Sequence, residues 1–314
     1  MVELNGKKIL VTFLMHLGDL TLTTPFIHAL RKAAPDAHIT MLVDEKLKDV
    51  VLFNPYLDEV VTIDKKGRDN SILSLWACSR HLSKLDFDVL INLHPNERCS
   101  FIDAMTSVKL RTGTTHKIFK WFWDVFTPLD RSMHAADMYL DVLQQLGVQD
   151  LSNNGLEIFP GEEHFLEAEL FWQEQNITDQ DKLIGFNIGS AVPTKRWPPE
   201  RFAEVADIFA AKGYKTVFFG GPMDEEMVAE ATGYMQTRPI IATGHFAIGG
   251  LAAAMRRCCL IITNDSGPMH VAISQNVPIV AMYGPSNPKL YGPYTKDAVI
   301  VTAQPPCQGC ADGM

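Results

Sequence analysis

Short apolar runs rich in β-branched residues alternate with longer amphipathic runs along the first half of the chain. The apolar run at residues 7–14 predicts a buried strand. Residues 24–35 predict a helix with one apolar face, made of Phe26, Ala29, Leu30 and Ala33. Residues 101–148 are less regular and end in a helical pattern closed by Gly147. The remaining elements predicted in this half are strands at 38–43, 59–64 and 87–94 and helices at 46–53 and 72–85. Continuous apolar strands separated by helices indicate βαβ units and a parallel sheet.

The same alternation restarts after a polar and then helical stretch at about residues 149–180, where we place the crossing between two domains. The elements predicted beyond it are strands at 182–189, 215–221, 259–265 and 278–286 and helices at 198–213, 223–236, 249–258 and 267–275. Two such arrays predict an α/β protein with two Rossmann-like parallel-sheet domains facing a cleft, residues 1–160 and 161–314.

The amino-acid composition of the chain excludes some classes of function. The chain has 314 residues, of which 46% are hydrophobic, enough for a core in each domain. A net charge of -9 argues against a general nucleic-acid binder but is compatible with an anionic small substrate. No signal peptide or membrane-spanning segment is visible, which predicts a cytoplasmic protein. The pair Cys307 and Cys310 near the end could be half of a zinc site or a redox pair, but no second pair follows it in the sequence. The chain looks as if a final segment were missing.

Ligands of open α/β sheets bind at the carboxyl ends of the strands, so the turns there are the candidate sites. The first is the turn HLGD, His16 to Asp19, after the first predicted strand. Gly18 permits a tight turn and the close approach of a substrate, and Asp19 could act there as a general base on an acceptor hydroxyl. The alternative is that Asp19 caps the following helix, and the residues alone favour the cap.

A second turn carries Ser190 and Lys195 after the strand at 182–189. Small polar residues followed by a lysine suit a diphosphate, because backbone N–H groups and a hydroxyl donate and the ammonium neutralises charge. A solvated basic loop accounts for these residues equally well.

The stretch NDSGPMH, residues 264–270, is the most informative of the chain. Ser266 and Gly267 precede a proline suited to the first turn of a helix, whose N–H groups form an anion site. His270 could donate to a phosphate oxygen, and Asp265 could accept from a sugar hydroxyl or from backbone. An isolated histidine is more often a core residue, but its place at an anion-binding helix start favours function.

The fourth turn follows the strand at 215–221 and carries Asp224 and Glu225. These acids could bind sugar hydroxyls, or they could be present because a helix N-terminus favours negative charge. No G-x-G-x-x-G or P-loop follows the first strand, so neither NAD binding nor ATP hydrolysis is supported. Residues 111–126 mix lysines with aromatic residues, as in a segment that rests on a membrane or an amphiphilic substrate, or in a partly buried segment with solvated lysines.

Together these motifs resemble the bacterial ADP-heptose:lipopolysaccharide heptosyltransferases, a family of GT-B glycosyltransferases, over nearly the whole chain. The resemblance rests on the opening LMHLGDLTLTTPFIHALRKAAPDAHITMLV and on GSAVPTKRWPPERFAEVA, FFGGPMDEE and NDSGPMHVAISQNVPIVAMYGPS in the same order. It implies that an N-terminal domain holds an inner-core acceptor and that a C-terminal domain holds ADP-heptose. Because such an acceptor is anchored in a membrane, the resemblance also implies that the protein makes a peripheral contact with the cytoplasmic face of the inner membrane.

The resemblance also assigns roles to residues. Asp19 falls on the catalytic base, with His16 and Gly18 on the acceptor side of the same turn. The donor would be held by Ser190 and Lys195, by Asp224 or Glu225, and by the segment Asp265, Ser266, Gly267, Met269 and His270. The implied reaction is inverting and needs no metal or other cofactor. Ala191 stands where relatives often carry a second hydroxyl residue, which predicts altered hydrogen bonding to the donor. The alternatives are a nucleotide-sugar 2-epimerase, an enzyme with another sugar donor, or a non-catalytic nucleotide-sugar binding protein.

Overall fold

The computed structural model describes residues 2–302 and divides the chain into two compact units, Met1–Asn154 and Gly155–Met314. Each unit is built on one six-stranded sheet in which every neighbouring pair of strands is parallel. The predicted pair Cys307 and Cys310 lies outside the described residues.

The sheet of the first unit has the order β3-β2-β1-β4-β5-β6, which is the doubly wound order of nucleotide-binding folds. Strands β1, β2 and β4 are buried along most of their length, as their continuous apolar sequence predicts. The strands are β1 Lys8–Thr12, β2 His38–Asp44, β3 Glu59–Ile63, β4 Val89–Asn92, β5 Leu110–Gly113 and β6 Val125–Phe126.

Helices cover both faces of this sheet. Helix α2 packs against α5, and α4 packs against α3 and against the second 3₁₀ helix. Right-handed crossovers place α3, α4 and that 3₁₀ helix side by side on one face. The helices are α1 Leu17–Thr21, α2 Thr24–Ala33, α3 Ile72–Ser83, α4 Glu97–Met105 and α5 Ala135–Gln145, with 3₁₀ helices at Glu45–Val50 and Lys117–Phe122.

The second unit repeats this topology, with the order β12-β11-β10-β7-β8-β9. Its core combines aliphatic residues with three phenylalanines, Phe202 on α7 and Phe186 and Phe218 on the central strands. The rings of Phe186 and Phe218 stack at 5.1 Å between centroids. The strands are β7 Leu183–Asn187, β8 Lys215–Phe219, β9 Ile240–Ile241, β10 Cys258–Asn264, β11 Ile279–Tyr283 and β12 Ala298–Thr302.

The helices of the second unit also follow the predicted alternation. The pair α7 and α8 packs together, and α9 packs against α6 and α10. They are α6 Glu162–Glu174, α7 Pro199–Ala211, α8 Glu225–Tyr234, α9 Ile248–Met255, α10 Gly267–Ser274 and α11 Pro288–Tyr291, with short 3₁₀ helices at Pro193–Lys195 and Pro222–Asp224.

The two-array, parallel-sheet architecture predicted from the sequence is confirmed. Helix α4 and strand β5, at residues 97–113, lie at the start of the irregular stretch and carry no continuous apolar pattern. Gly113 ends β5 with φ +90, and a Cβ there would overlap the carbonyl oxygen of Asn92, so this position requires glycine. Helix α4 begins at an Asn96 cap that accepts from the Cys99 N–H at 2.8 Å.

Candidate functional site

In the second unit, four turns carry residues of the candidate site. Each turn follows the carboxyl end of one of four neighbouring strands of the sheet. The strands β11, β10, β7 and β8 are neighbours in the sheet, so the turns that follow them meet along one edge. These turns carry Ser286, Asp265, the pair Ser190 and Lys195, and Asp224, respectively.

Asp265 is the centre of this edge. Its carboxylate is buried and takes two donors on the same oxygen, because Lys195 Nζ lies 2.7 Å and Ser286 Oγ 2.6 Å from Asp265 Oδ2. The hydroxyl of Ser190 donates to the backbone carbonyl of Asp265 at 3.3 Å. The two residues singled out as candidate phosphate ligands, Ser190 and Lys195, are therefore both tied to Asp265.

Tyr283, at the end of β11, completes the surroundings of this carboxylate. Burial and the nearby charge of Asp265 raise the pKa of the Tyr283 hydroxyl far above its usual range. That hydroxyl donates to the Tyr291 carbonyl at 3.0 Å. Tyr283 therefore stays neutral, and Lys195 is the cation that balances Asp265.

Two asparagines hold the turns after β7 and β10 together. Asn187 donates to Thr263 Oγ1 at 3.1 Å and to Ser266 Oγ at 2.8 Å. Asn264 donates to the Ile188 carbonyl at 2.7 Å and accepts from the Trp197 N–H at 2.9 Å. Both asparagines are buried, so their hydrogen bonds fix the spacing of the turns that carry Ser190 and Asp265.

The side chains of Asp224 and Glu225 lie against different parts of the second unit. A Cβ on Gly189 would overlap Asp224 Oδ1, so the Asp224 carboxylate lies directly against the turn after β7. Its other oxygen accepts from the Gly221 N–H at 2.9 Å. Glu225 is exposed and its carboxylate points instead toward Gly244. Asp224 is therefore the acid that belongs to the edge with Lys195.

Helix α10 begins at this edge, with Ser266 as its N-cap residue and a proline in its first turn, as the sequence predicts. Gly267 and Ser266 are half-buried, and His270 is buried in the same first turn. Met269 is fully buried, and its sulfur lies 3.7 Å from the Tyr283 hydroxyl. Its side chain is thus part of the core beneath the turn, whereas the helix terminus itself offers N–H groups to an anion.

In the first unit, the turn after β1 leads into α1. The N-cap residue is His16, and Asp19 is the third residue of the helix, so it lies in the first turn and not at the cap position. A negative charge is favoured there by the helix dipole. Gly18 is in the same first turn.

Lys65 supports the backbone of this turn and was not identified from the sequence. Its buried ammonium donates to the carbonyls of Leu14 at 3.0 Å and Met15 at 2.8 Å and pairs with Asp44 at 3.2 Å. Asn96 also donates to the Leu14 carbonyl, at 3.1 Å. A pocket of about 320 Å³ opens beside these groups, and it is lined by Leu14, Lys65, Lys66, Asn96, Glu97 and Arg98. Three of the six lining side chains are cationic.

Two buried titratable groups lie near the same sheet. Burial lowers the pKa of His94, which follows β4, to about 4, so its imidazole is neutral at neutral pH. Burial raises the pKa of Asp103 on α4 to about 8, although Thr12 Oγ1 donates to Asp103 Oδ2 at 2.9 Å. Asp103 is therefore protonated at neutral pH, and it lies directly beneath β1.

Within residues 2–302, no three His, Cys, Asp or Glu side chains are grouped so that they could hold a metal ion. In the same range, no helix has the length and apolar character needed to cross a membrane.

Two parallel sheets of the same doubly wound order, with a polar and basic strand-end cluster in the second, are the α/β architecture of the GT-B fold. The family model "Glycosyltransferase family 9 (heptosyltransferase)" matches residues 75–313, and the chain belongs to that family. It is therefore a glycosyltransferase.

Similar proteins span nearly the whole chain. Lipopolysaccharide heptosyltransferase 3 of Escherichia coli K12 is 24% identical over 90% of this chain and 84% of its own length. The crystal structure of a family 9 glycosyl transferase from Veillonella parvula is 57% identical, with a TM-score of 0.95, over 97% of this chain and 89% of that one. The E. coli ADP-heptose LPS heptosyltransferase II structure has a TM-score of 0.81 at 23% identity, over 94% and 90% of the two chains.

Sequence reasoning missed several residues of the candidate site. Asn187 is a single polar residue at the end of an apolar strand, a signal that the sequence carries. Asn264 belongs to the polar run that ends β10, and Ser286 lies three residues after β11. Lys65 carries no such signal. It lies beside Lys66 in the polar run IDKKGRD, and the sequence does not distinguish Lys65, which is buried, from Lys66, which is exposed. Only the structure shows which of them reaches the carbonyls of the residues after β1.

Proposed function

We propose that this glycosyltransferase transfers a heptose from ADP-heptose to the inner core of lipopolysaccharide, with inversion at the anomeric carbon and without a metal ion. Membership of the heptosyltransferase family supports the reaction class. The observation that carries the donor assignment is the strand-end cluster of Lys195, Asp265 and Ser286 beside the start of α10.

This cluster suits a nucleoside diphosphate sugar. The diphosphate takes the α10 terminus, where Gly267 and His270 lie in the first turn, together with the Lys195 ammonium and the Ser190 hydroxyl. Asp265 accepts from a hydroxyl of the donor sugar, and Asp224 accepts from the ribose. Because Lys195 already contacts Asp265, one ammonium can bridge the sugar-binding carboxylate and the diphosphate.

The proposed base is Asp19 in the first turn of α1. It takes the proton from the acceptor hydroxyl while that oxygen attacks the anomeric carbon and the bond to ADP breaks. The first turn of a helix favours the ionised form of a carboxylate, which is the form that a base requires. Negative charge that develops on the departing diphosphate is stabilised by Lys195 and by the N-terminus of α10.

In this proposal, the acceptor binds to the first unit. The basic lining of the pocket beside Leu14 suits an acceptor that carries negative charge. A lipopolysaccharide precursor is anchored in a membrane by its lipid, so the enzyme would act at the cytoplasmic membrane surface. The alternatives of a 2-epimerase or a non-catalytic binding protein are not favoured, because the family is one of transferases.

One experiment separates these functions. The purified protein is incubated with ADP-heptose and a panel of core-oligosaccharide acceptors, and products are analysed by mass spectrometry and NMR. A new glycosidic bond of inverted configuration, formed equally with EDTA present, supports the proposal. Conversion of the donor without an acceptor indicates an epimerase, whereas ADP binding without any product indicates a binding protein. Transfer only from another nucleotide sugar would overturn the donor assignment.

A further inference from the structure

Several large apolar side chains of the first unit are exposed on one face of its sheet. Trp121 is 92% exposed in the 3₁₀ helix Lys117–Phe122, where Ile118 and Phe122 are exposed as well. No residue of that 3₁₀ helix is buried. These side chains therefore contribute little to folding, and a function outside the fold has to account for them.

A second group of exposed apolar residues lies on α3. Ile72, Leu73 and Trp76 point outward from its first half, with Ile72 and Leu73 more than two-thirds exposed. Helix α4 packs against α3 on one side and against the 3₁₀ helix Lys117–Phe122 on the other, so both groups belong to the same face of the sheet. We call the outer surface of α3 and of this 3₁₀ helix the amphiphilic face.

The charges on the amphiphilic face have one sign. Residues 70–85 and 104–123 contain no Asp or Glu, although the chain as a whole has 37 among 314 residues and a net charge of -9. In the 3₁₀ helix, Lys117 and Lys120 are exposed and have no ion-pair partner within residues 2–302. The exposed Glu97 of α4 lies between these two elements, 3.8 Å from His116. The excess of positive charge on α3 and the 3₁₀ helix of an acidic protein indicates a negatively charged partner.

Aromatic and cationic groups are also combined locally. Lys120 Nζ lies 4.2 Å from the centroid of the Phe126 ring, and the Arg80 guanidinium lies 5.9 Å from that of Trp76. Tryptophan beside lysine or arginine is the composition that proteins present to the interface of a bilayer, where rings lie at headgroup level and cations meet lipid phosphates.

We propose that the amphiphilic face docks on an anionic lipid bilayer, with Trp121 inserted at headgroup level and Lys117 and Lys120 against lipid phosphates. The inference deepens the proposed function, because a membrane-anchored acceptor needs the enzyme at the bilayer. The helices of this face begin at the carboxyl edge of the sheet, next to the turns after β3, β4 and β5. Docking there brings the acceptor edge of the first unit to the lipid surface.

The test is sedimentation of the full chain with vesicles of phosphatidylcholine and phosphatidylglycerol in equal parts, and with vesicles of phosphatidylcholine alone. We expect binding to the anionic vesicles that weakens as salt is raised, because surface charges are screened. Trp121→Ala should weaken binding about tenfold or more, since a large apolar surface no longer leaves water. Lys117→Gln and Lys120→Gln should each weaken it about fivefold.

Matched controls lie in the second unit. Tyr234→Ala removes an aromatic side chain that is 53% exposed, and Lys212→Gln removes an exposed lysine, so both should leave binding unchanged. Absence of binding to anionic vesicles overturns the proposal, and so does binding that the Trp121 and lysine variants leave at the wild-type level.

Activity separates this inference from the proposed function. With a delipidated core oligosaccharide, Trp121→Ala should transfer heptose at the wild-type rate, and with the same core on its lipid in anionic vesicles the rate should fall in proportion to binding. A rate that falls equally on both acceptors would place Trp121 in acceptor recognition and overturn docking. If neither acceptor is glycosylated, the proposed function fails, while vesicle sedimentation still decides the docking.

Discussion

Lys195 Nζ lies 2.7 Å from Asp265 Oδ2, so the cation proposed to bind the donor diphosphate is held by the carboxylate proposed to bind the donor sugar. Lys195→Ala removes a charge-assisted contact to the diphosphate and leaves Asp265 as an unbalanced anion in the same place. We expect ADP affinity to fall at least about tenfold, because hydrogen bonds to charged groups contribute about 1.5–3 kcal/mol. Isothermal titration calorimetry measures this, with Lys212→Ala as the control; equal ADP affinity would exclude Lys195 from the donor site.

Ser286 donates to the same oxygen of Asp265 at 2.6 Å and is almost fully buried. Ser286→Ala removes that donor without touching the proposed ligand contacts, so Asp265 and Lys195 lose their fixed orientation. We expect the KM for the donor to rise about tenfold with a smaller change in kcat. Ser286→Thr retains the hydroxyl and should recover most of the loss. If Thr and Ala behave alike, the hydroxyl does not position Asp265.

Asp19→Asn tests the general base, since the amide keeps the size of the side chain but cannot take a proton. A positioned base typically contributes about 10²–10⁴-fold to rate, so kcat should fall by that factor while ADP affinity stays at the wild-type value. Steady-state kinetics and calorimetry on one preparation measure both quantities. Asp36→Asn, at an exposed loop acid of the same unit, is the control. Turnover of the Asp19→Asn variant near the wild-type rate would reject the assignment.

The sequence pattern was sufficient for the architecture because both sheets are parallel and buried, which makes their strands continuous apolar runs. It failed for α4, where the buried Asp103 and Ser100 interrupt the apolar stripe, and for β5, which is too short to show a pattern. These elements are recognisable only through their tertiary contacts, for example the hydrogen bond between Thr12 and Asp103.

The candidate donor residues could be predicted because each follows an apolar strand, and parallel strands bring their ends to one edge. What the sequence could not show is how they are connected. The convergence of Lys195 and Ser286 on one oxygen joins residues far apart in the chain, and nothing local to either signals it. The choice of Asp224 over Glu225 likewise depends on the closeness of Gly189.

Lys65 is expected to position the turn that leads to Asp19, because its ammonium holds the carbonyls of Leu14 and Met15. Lys65→Met should lower kcat and also destabilise the fold by about 3–5 kcal/mol, since it leaves the buried carboxylate of Asp44 unpaired. The double variant Lys65→Met/Asp44→Asn removes that charge and should recover stability but not kcat. Recovery of both, measured by thermal melting and kinetics, would show that Lys65 is only structural.

Asp103 is expected to make the first unit less stable as the pH rises. Its pKa is about 8 in the folded chain against an ordinary value of 3.8, so between these values the folded state binds one proton more than the unfolded state. Each pH unit in that window therefore lowers the free energy of unfolding by about 1.4 kcal/mol through this group. Below the window the group has no effect on stability, and above it the full cost is reached.

Asp103→Asn removes this titration while retaining an oxygen that can accept from Thr12. Relative to the wild type, the variant should gain stability steadily between about pH 5 and pH 8, by about 1.4 kcal/mol per unit. Thermal melts of both proteins at several pH values measure the difference, which cancels the other titrating groups. Asp88→Asn is the matched control: Lys109 lies 2.7 Å away and holds the pKa of Asp88 below its usual value, so that group is ionised throughout this range. A constant difference between wild type and Asp103→Asn would mean that Asp103 is ionised in the folded chain.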